Sequence, residues 1–127
     1  MSEQQFSPPD FWSFKPFFTL QPVTETREKQ LNCWCSLILS YCSFNKINRL
    51  DIYNFSFFKN STLGRELSSD GVNAVINKLI QSGNAEWEDG SRTGLRIMLK
   101  SPESLAGDIY SWYVPMYLTL FIDLFIY

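Results

Sequence analysis

Cysteines are the first side chains in this sequence whose spacing suggests chemistry. Cys33 and Cys35 lie two positions apart, and Cys42 follows seven residues later. A structural zinc site needs four ligands, but the chain offers three cysteines and no histidine. Positions two apart on a helix also point to different faces. We therefore predict no metal or other cofactor, and interpret the three cysteines as packing residues, reduced as in a cytosolic protein.

The acidic residues Glu86, Glu88 and Asp89 form the other group that could do chemistry. No nucleophile or base accompanies them, and the chain lacks histidine, the side chain most used for acid–base catalysis near neutral pH. We predict a solvated acidic surface, no catalytic residues and no enzymatic activity.

The chain has 127 residues with a net charge of −2, and 45% of them are hydrophobic. This length fits a single domain with a packed core. The nearly balanced charge disfavours nucleic acid as a partner, since phosphate contacts dominate that affinity. Aromatic residues are abundant and uneven, because 13 of the 21 lie in residues 1–18 and 109–127.

Residues 1–22 are rich in proline and aromatic residues and show no helical or alternating period. Proline fixes φ and removes a donor, so we predict an extended arm that docks on another protein. A second interpretation is that the arm folds back onto its own core. The predicted partner-binding residues are Pro8, Pro9, Phe11, Trp12, Pro16, Phe17 and Phe18.

Residues 23–102 carry the periodicity of a folded domain. A helix capped by Thr24 is expected to run to about Phe44, and a second clear helix, capped by Ser68 or Ser69, to end at Gly83. Between them we expect a short strand over 49–55 and a short helix over 57–66.

Alternating residues then predict a hairpin over 85–100, with a turn at 89–93. Three helices followed by a β-hairpin wing define the α+β winged-helix fold. We therefore predict a winged-helix domain preceded by an extended arm.

Residues 103–127 are predicted to begin a helix of a second domain and continue as a divergent hydrophobic tail. Ile109 to Tyr127 contains one charge, Asp123. As a helix it would span about 28 Å, close to the hydrocarbon thickness of a bilayer. Pro115 and the lack of basic flanking residues oppose a membrane anchor, so we expect only indirect membrane contact unless this tail inserts.

Several separate strings, in order over roughly residues 14–113, resemble the family of the ESCRT-II subunit vacuolar protein sorting-associated protein 25. They are Lys15-Pro16-Phe17-Phe18-Thr19-Leu20-Gln21-Pro22, Thr26-Arg27, Lys29-Gln30-Leu31, Trp34-Cys35-Ser36-Leu37, Leu39-Ser40, Gly83-Asn84, Glu86-Trp87, Ile97-Met98, Ile109-Tyr110 and Trp112.

The resemblance implies a non-enzymatic scaffold with two tandem winged helices. It implies that the first winged helix docks on the two larger ESCRT-II subunits through Pro-aromatic motifs, and that the second recruits ESCRT-III. The complex would sort ubiquitinated cargo into multivesicular bodies, with a cytoplasmic chain recruited to the endosomal membrane.

Two departures from the family pattern stand out. Lys15 occupies a position where the family usually has proline, and the first motif fits in two registers, ending at Phe11 or at Trp12. Beyond Trp112 the second winged helix is not recognisable. We therefore expect a truncated form, from an alternative transcript or a gene-model error, and ESCRT-III recruitment is in doubt.

The main alternative is a winged-helix protein that binds DNA through its third helix. That helix offers Asn73, Asn77, Lys78 and Gln81, but residues 69–83 sum to zero charge. Few phosphate contacts are therefore available, and DNA binding is disfavoured. A WW-domain ligand is weaker still, because Phe11 lacks a tyrosine hydroxyl.

Overall fold

A computed structural model describes residues 6–98, so the expectations for 103–127 lie outside the described residues. The described residues form two α-helices and five short strands, with two short 3-10 turns before the first helix and a third between the first two strands. The helices are α1 (Thr24–Asn45) and α2 (Ser69–Gln81), and the strands are β1 (Arg49–Asp51), β2 (Lys59–Asn60), β3 (Arg65–Glu66), β4 (Ala85–Trp87) and β5 (Gly94–Ile97).

A three-stranded antiparallel sheet closes one side of the domain in the order β1-β5-β4. Leu95 of β5 is aligned with Leu50 of β1 and with Trp87 of β4. The β4–β5 hairpin is the predicted wing, and α1 and α2 pack against each other beside it. The predicted α+β winged-helix fold is confirmed.

The cap residue of the first helix lies one position before the predicted one. Thr24 was expected to cap α1, but Val23 is the cap residue, and no side chain caps the helix. The Val23 carbonyl accepts the Arg27 amide at 2.8 Å, and the Thr24 hydroxyl accepts a guanidinium N–H of Arg27 at 3.4 Å. The arginine therefore occupies the Thr24 oxygen that would otherwise cap the helix.

The helix expected over 57–66 is wrong. A 3-10 turn (Ser56–Phe58) leads into a hairpin of β2 and β3. Asn60 is buried, and its side-chain oxygen accepts the Leu63 amide at 3.2 Å, which closes the turn. Gly64 follows with φ +66°, a left-handed conformation that ends the turn at little steric cost.

The second predicted helix, α2, is confirmed with its caps. The Ser68 hydroxyl accepts the Gly71 amide at 3.1 Å, and Gly83 adopts φ +80° just after the helix. Val75, Ile76 and Leu79 form its buried stripe. At about 1.5–3 kcal/mol per large apolar side chain, this stripe is what holds α2 on α1.

The three cysteines are free and buried, as predicted. Removal from water disfavours the thiolate, so burial raises the pKa of Cys35 and of Cys42 to about 12 and that of Cys33 further. Cys35 also donates weakly to the Val75 carbonyl at 3.8 Å, across the contact between α1 and α2. The thiols therefore serve as apolar packing groups.

These pKa values predict a loss of stability in alkali. Above the ordinary thiol pKa of 9.0 the unfolded chain loses protons that the folded chain keeps up to about 12. Each thiol then lowers the free energy of unfolding by about 1.4 kcal/mol per pH unit in that window. Urea titrations from pH 9 to 10.5 should give a shallower pH slope, by that amount, for Cys42→Ser. Equal slopes would show that Cys42 ionises equally in both states.

Candidate protein-docking site

The N-terminal arm is folded back along α1 rather than extended. It forms two 3-10 turns, Asp10–Ser13 and Lys15–Phe18, separated by Phe14 in an extended conformation. Each turn is closed by backbone bonds, such as Trp12 N–H to the Pro9 carbonyl at 3.0 Å. Of the two interpretations offered by the sequence, the structure has the arm on its own core.

Aromatic stacking holds the arm in place. Phe17 lies parallel to Trp34 of α1 with ring centroids 4.2 Å apart, and Phe11 and Phe18 meet Phe17 edge to face at 4.8 and 5.9 Å. Phe11, Phe17 and Phe18 are only 1%, 0% and 4% exposed. Each buried ring contributes about 1.5–3 kcal/mol, which offsets part of the entropy cost of ordering the arm.

Gln30 of α1 ties the arm to the helix with hydrogen bonds. Its buried amide nitrogen donates to the carbonyls of Phe17 and Thr19 at 3.0 and 2.8 Å, and its oxygen accepts the Gln21 amide at 3.0 Å. The Trp34 indole N–H donates to the same Phe17 carbonyl at 3.0 Å. Backbone groups of the arm that lie among the aromatic rings therefore have hydrogen-bond partners.

A second buried amide fastens the first turn of the arm. Asn60 of β2 donates to the Trp12 carbonyl at 3.0 Å, and the Trp12 indole donates to the Phe57 carbonyl at 2.8 Å. The arm is therefore pinned at both turns, by residues 30 and 60. The sequence gives no local signal for either role, because both residues have polar neighbours, Lys29 before Gln30 and Lys59 before Asn60.

The seven predicted partner-binding residues fall into two groups. Phe11, Phe17 and Phe18 are enclosed by the chain itself. Phe17 and Phe18 pack on Trp34, and Phe11 packs on Phe17. The other four are half-buried and keep part of their surface accessible: Pro8, Pro9, Trp12 and Pro16. We call these three prolines and the indole the proline ridge of the arm; the exposed Lys15 is the first residue of the second turn.

A family model describing an ESCRT-II complex subunit matches residues 11–119. This chain belongs to the ESCRT-II complex subunit family. The matched range starts in the arm and includes the whole described winged helix. The resemblance predicted from the sequence is confirmed.

Comparison with individual proteins of the ESCRT-II family supports the same assignment. Vacuolar protein-sorting-associated protein 25 of Xenopus laevis is 41% identical over 80% of this chain and 60% of its own length. A crystal structure of subunit VPS25 of the endosomal trafficking complex ESCRT-II is 26% identical with a TM-score of 0.68, covering 86% of this chain and 67% of that one. A structure of the ESCRT-II complex matches with 26% identity and a TM-score of 0.64, covering 84% and 66%. The chain thus spans about 60% of the length of the curated relative it matches.

The wing of this ESCRT-II family member carries paired charges. Arg49 lies 2.7 Å from Glu88, and Arg96 lies 2.8 Å from Glu86 across the strands. The Arg92 guanidinium lies over the Trp87 ring at 6.0 Å. Since these carboxylates offset the cations, the wing offers little free positive charge for phosphate, which agrees with the prediction against DNA binding.

Neither a metal centre nor a membrane span is found within residues 6–98. No three cysteine or carboxylate groups in this range converge on one point, and none of its helices combines the length and apolarity needed to cross a bilayer. The hydrophobic tail from Ile109 lies outside the described residues.

Replacing Gln30 tests how firmly the arm is held. Gln30→Leu keeps the bulk, but it leaves the Gln21 amide without its acceptor and removes one donor each from the Phe17 and Thr19 carbonyls. It should lower the free energy of unfolding by about 1–3 kcal/mol. Hydrogen exchange at the Gln21 amide should accelerate as well. The matched change Gln81→Leu, at an exposed position of α2, should alter stability by less than about 0.5 kcal/mol. Similar unfolding curves for the two variants would contradict the role given to Gln30.

Proposed function

We propose that this chain is a non-enzymatic scaffold subunit of ESCRT-II, acting in the sorting of ubiquitinated cargo to multivesicular bodies. It docks on the two larger ESCRT-II subunits through its N-terminal arm. It is cytoplasmic and reaches the endosomal membrane as part of the assembled complex. Membership of the ESCRT-II subunit family is the observation that carries this proposal.

The state of the arm supports docking through it. Ordering a free segment costs about 1–2 kcal/mol per residue, but here folding has already placed the arm against α1. A partner then meets a surface fixed before contact, which favours affinity by preorganisation. Proline adds to this because its φ angle is restricted in every state.

In this proposal the seven arm residues have two different roles, contact with the partner and positioning of the contact residues. Pro8, Pro9, Trp12 and Pro16 contact the partner directly, since they keep accessible surface. The enclosed residues Phe11, Phe17 and Phe18 act as positioning residues that hold the prolines in place. Lys15, where the family usually has proline, adds one exposed charge to the same ridge.

We do not assign ESCRT-III recruitment to this chain. The chain spans about 60% of the length of its relative from Xenopus laevis, and the described residues form a single winged-helix unit. The assignment as a non-enzyme rests on the family and on the wing, where the carboxylates of Glu86 and Glu88 are already engaged by arginines.

Substituting the first pair of prolines tests the docking role. The double variant Pro8→Ser with Pro9→Ser should bind the two larger ESCRT-II subunits about tenfold more weakly by calorimetry, because apolar contact and arm rigidity are both reduced. Pro22→Ser, an exposed proline at the other end of the arm, serves as the control and should bind normally. Unchanged affinity of the double variant would remove these prolines from the interface.

A further inference from the structure

Four aromatic rings form a continuous patch where the arm begins. Phe6 packs edge to face on Tyr41, Phe44 and Phe57, with centroid distances of 5.6, 5.8 and 5.5 Å. Tyr41 and Phe57 also contact each other at 5.6 Å. We call Phe6, Tyr41, Phe44 and Phe57 the aromatic patch.

The aromatic patch is accessible and uncharged. Phe44 is 43% exposed, and the other three rings are half-buried. Not one charged residue occurs from Leu31 to Asn45, the C-terminal two thirds of α1. A helix end that is simply solvated carries charged side chains on its outer face. An uncharged aromatic surface of this kind is typical of an interaction site.

The aromatic patch is continuous with the proline ridge of the arm. Pro8 lies two residues from Phe6, a span of at most about 7 Å. Phe44 is one further ring contact away, at 5.8 Å. A standard interface covers about 800 Å² on each partner, which as a disc has a radius of about 16 Å. A partner seated on Pro8 and Pro9 therefore reaches the aromatic patch.

The ridge alone is also too small for a stable interface. Burial of Phe11, Phe17 and Phe18 removes three large rings from the surface that the arm can offer. What remains is three half-buried prolines and one indole, against the roughly 20–30 residues that each side of a standard interface contributes. The missing area has to come from the folded domain next to the ridge.

We propose that the aromatic patch is the second half of the docking surface, and that it receives an apolar, uncharged surface of the same larger ESCRT-II subunit that binds the proline ridge. Phe44 is the ring expected to contact the partner most directly, because it is the most exposed of the four. This inference rests on the proposed function, which supplies the partner, and adds a second contact region that the arm motifs do not include.

A charge placed at Phe44 tests the inference in the full chain. Phe44→Glu introduces an unpaired carboxylate into the contact and should weaken binding to the co-expressed larger subunits by at least about tenfold. Its matched control is Val23→Glu, because Val23 is 50% exposed and lies at the other end of α1, about 32 Å away. This control should change the affinity less than twofold. Unfolding curves of the two variants, measured in parallel, should superimpose within about 0.5 kcal/mol.

The outcomes separate this inference from the proposed function. If the unmodified chain binds and Phe44→Glu binds equally well, the aromatic patch is not an interface although the proposed function stands. If the unmodified chain does not bind the larger subunits, the proposed function fails and this inference fails with it. If light scattering shows a dimer of the unmodified chain that Phe44→Glu converts to a monomer, a second copy is the occupant and the inference is overturned.

Discussion

The buried amide of Gln30 is the interaction on which this arrangement depends. A proline-rich arm cannot form a regular ladder with the domain, because proline removes donors and leaves carbonyls without partners. Gln30 donates to the carbonyls of Phe17 and Thr19 and accepts from the Gln21 amide. Without Gln30 the Gln21 amide would lose its acceptor, at a cost of about 1–3 kcal/mol. Gln30 therefore acts with the Trp34 indole, which shares the Phe17 carbonyl, to let the aromatic rings of the arm enter the core.

This arrangement explains the unusual character of α1. The helix is not strongly amphipathic, because the arm covers one side of it while α2 and the segment 55–58 cover others. Trp34 faces the arm, and Cys35 faces α2 through Val75. A helix that is apolar on most sides is stable in water only when neighbours enclose it. The missing neighbour on the last turn, around Phe44, is what leaves the aromatic patch accessible.

Local patterns predicted the elements whose stabilising contacts are local. The stripe of α2, its Ser68 cap and the left-handed Gly83 follow from short-range rules, and the structure has them. The segment over 57–66 and the path of the arm depended on partners far along the chain. Asn60 lies 48 positions from Trp12, whose carbonyl it binds. No periodicity in one segment records such a contact, so the helix predicted over 57–66 and the extended path predicted for the arm were both wrong.

The same long-range contacts change the meaning of the aromatic excess at the N-terminus. Taken alone, Phe11, Phe17 and Phe18 look like anchors for a partner, since exposed rings in a flexible arm are costly in water. In the structure these rings are instead buried in the cluster around Trp34, so their hydrophobic burial stabilises the fold of the chain itself. That burial holds the prolines in place before a partner arrives. The entropy cost of ordering the arm is then part of folding, and binding to the proline ridge does not include it. Such an arm can bind a partner with few exposed aromatic side chains. Its affinity increases when the folded domain offers an apolar surface beside the arm.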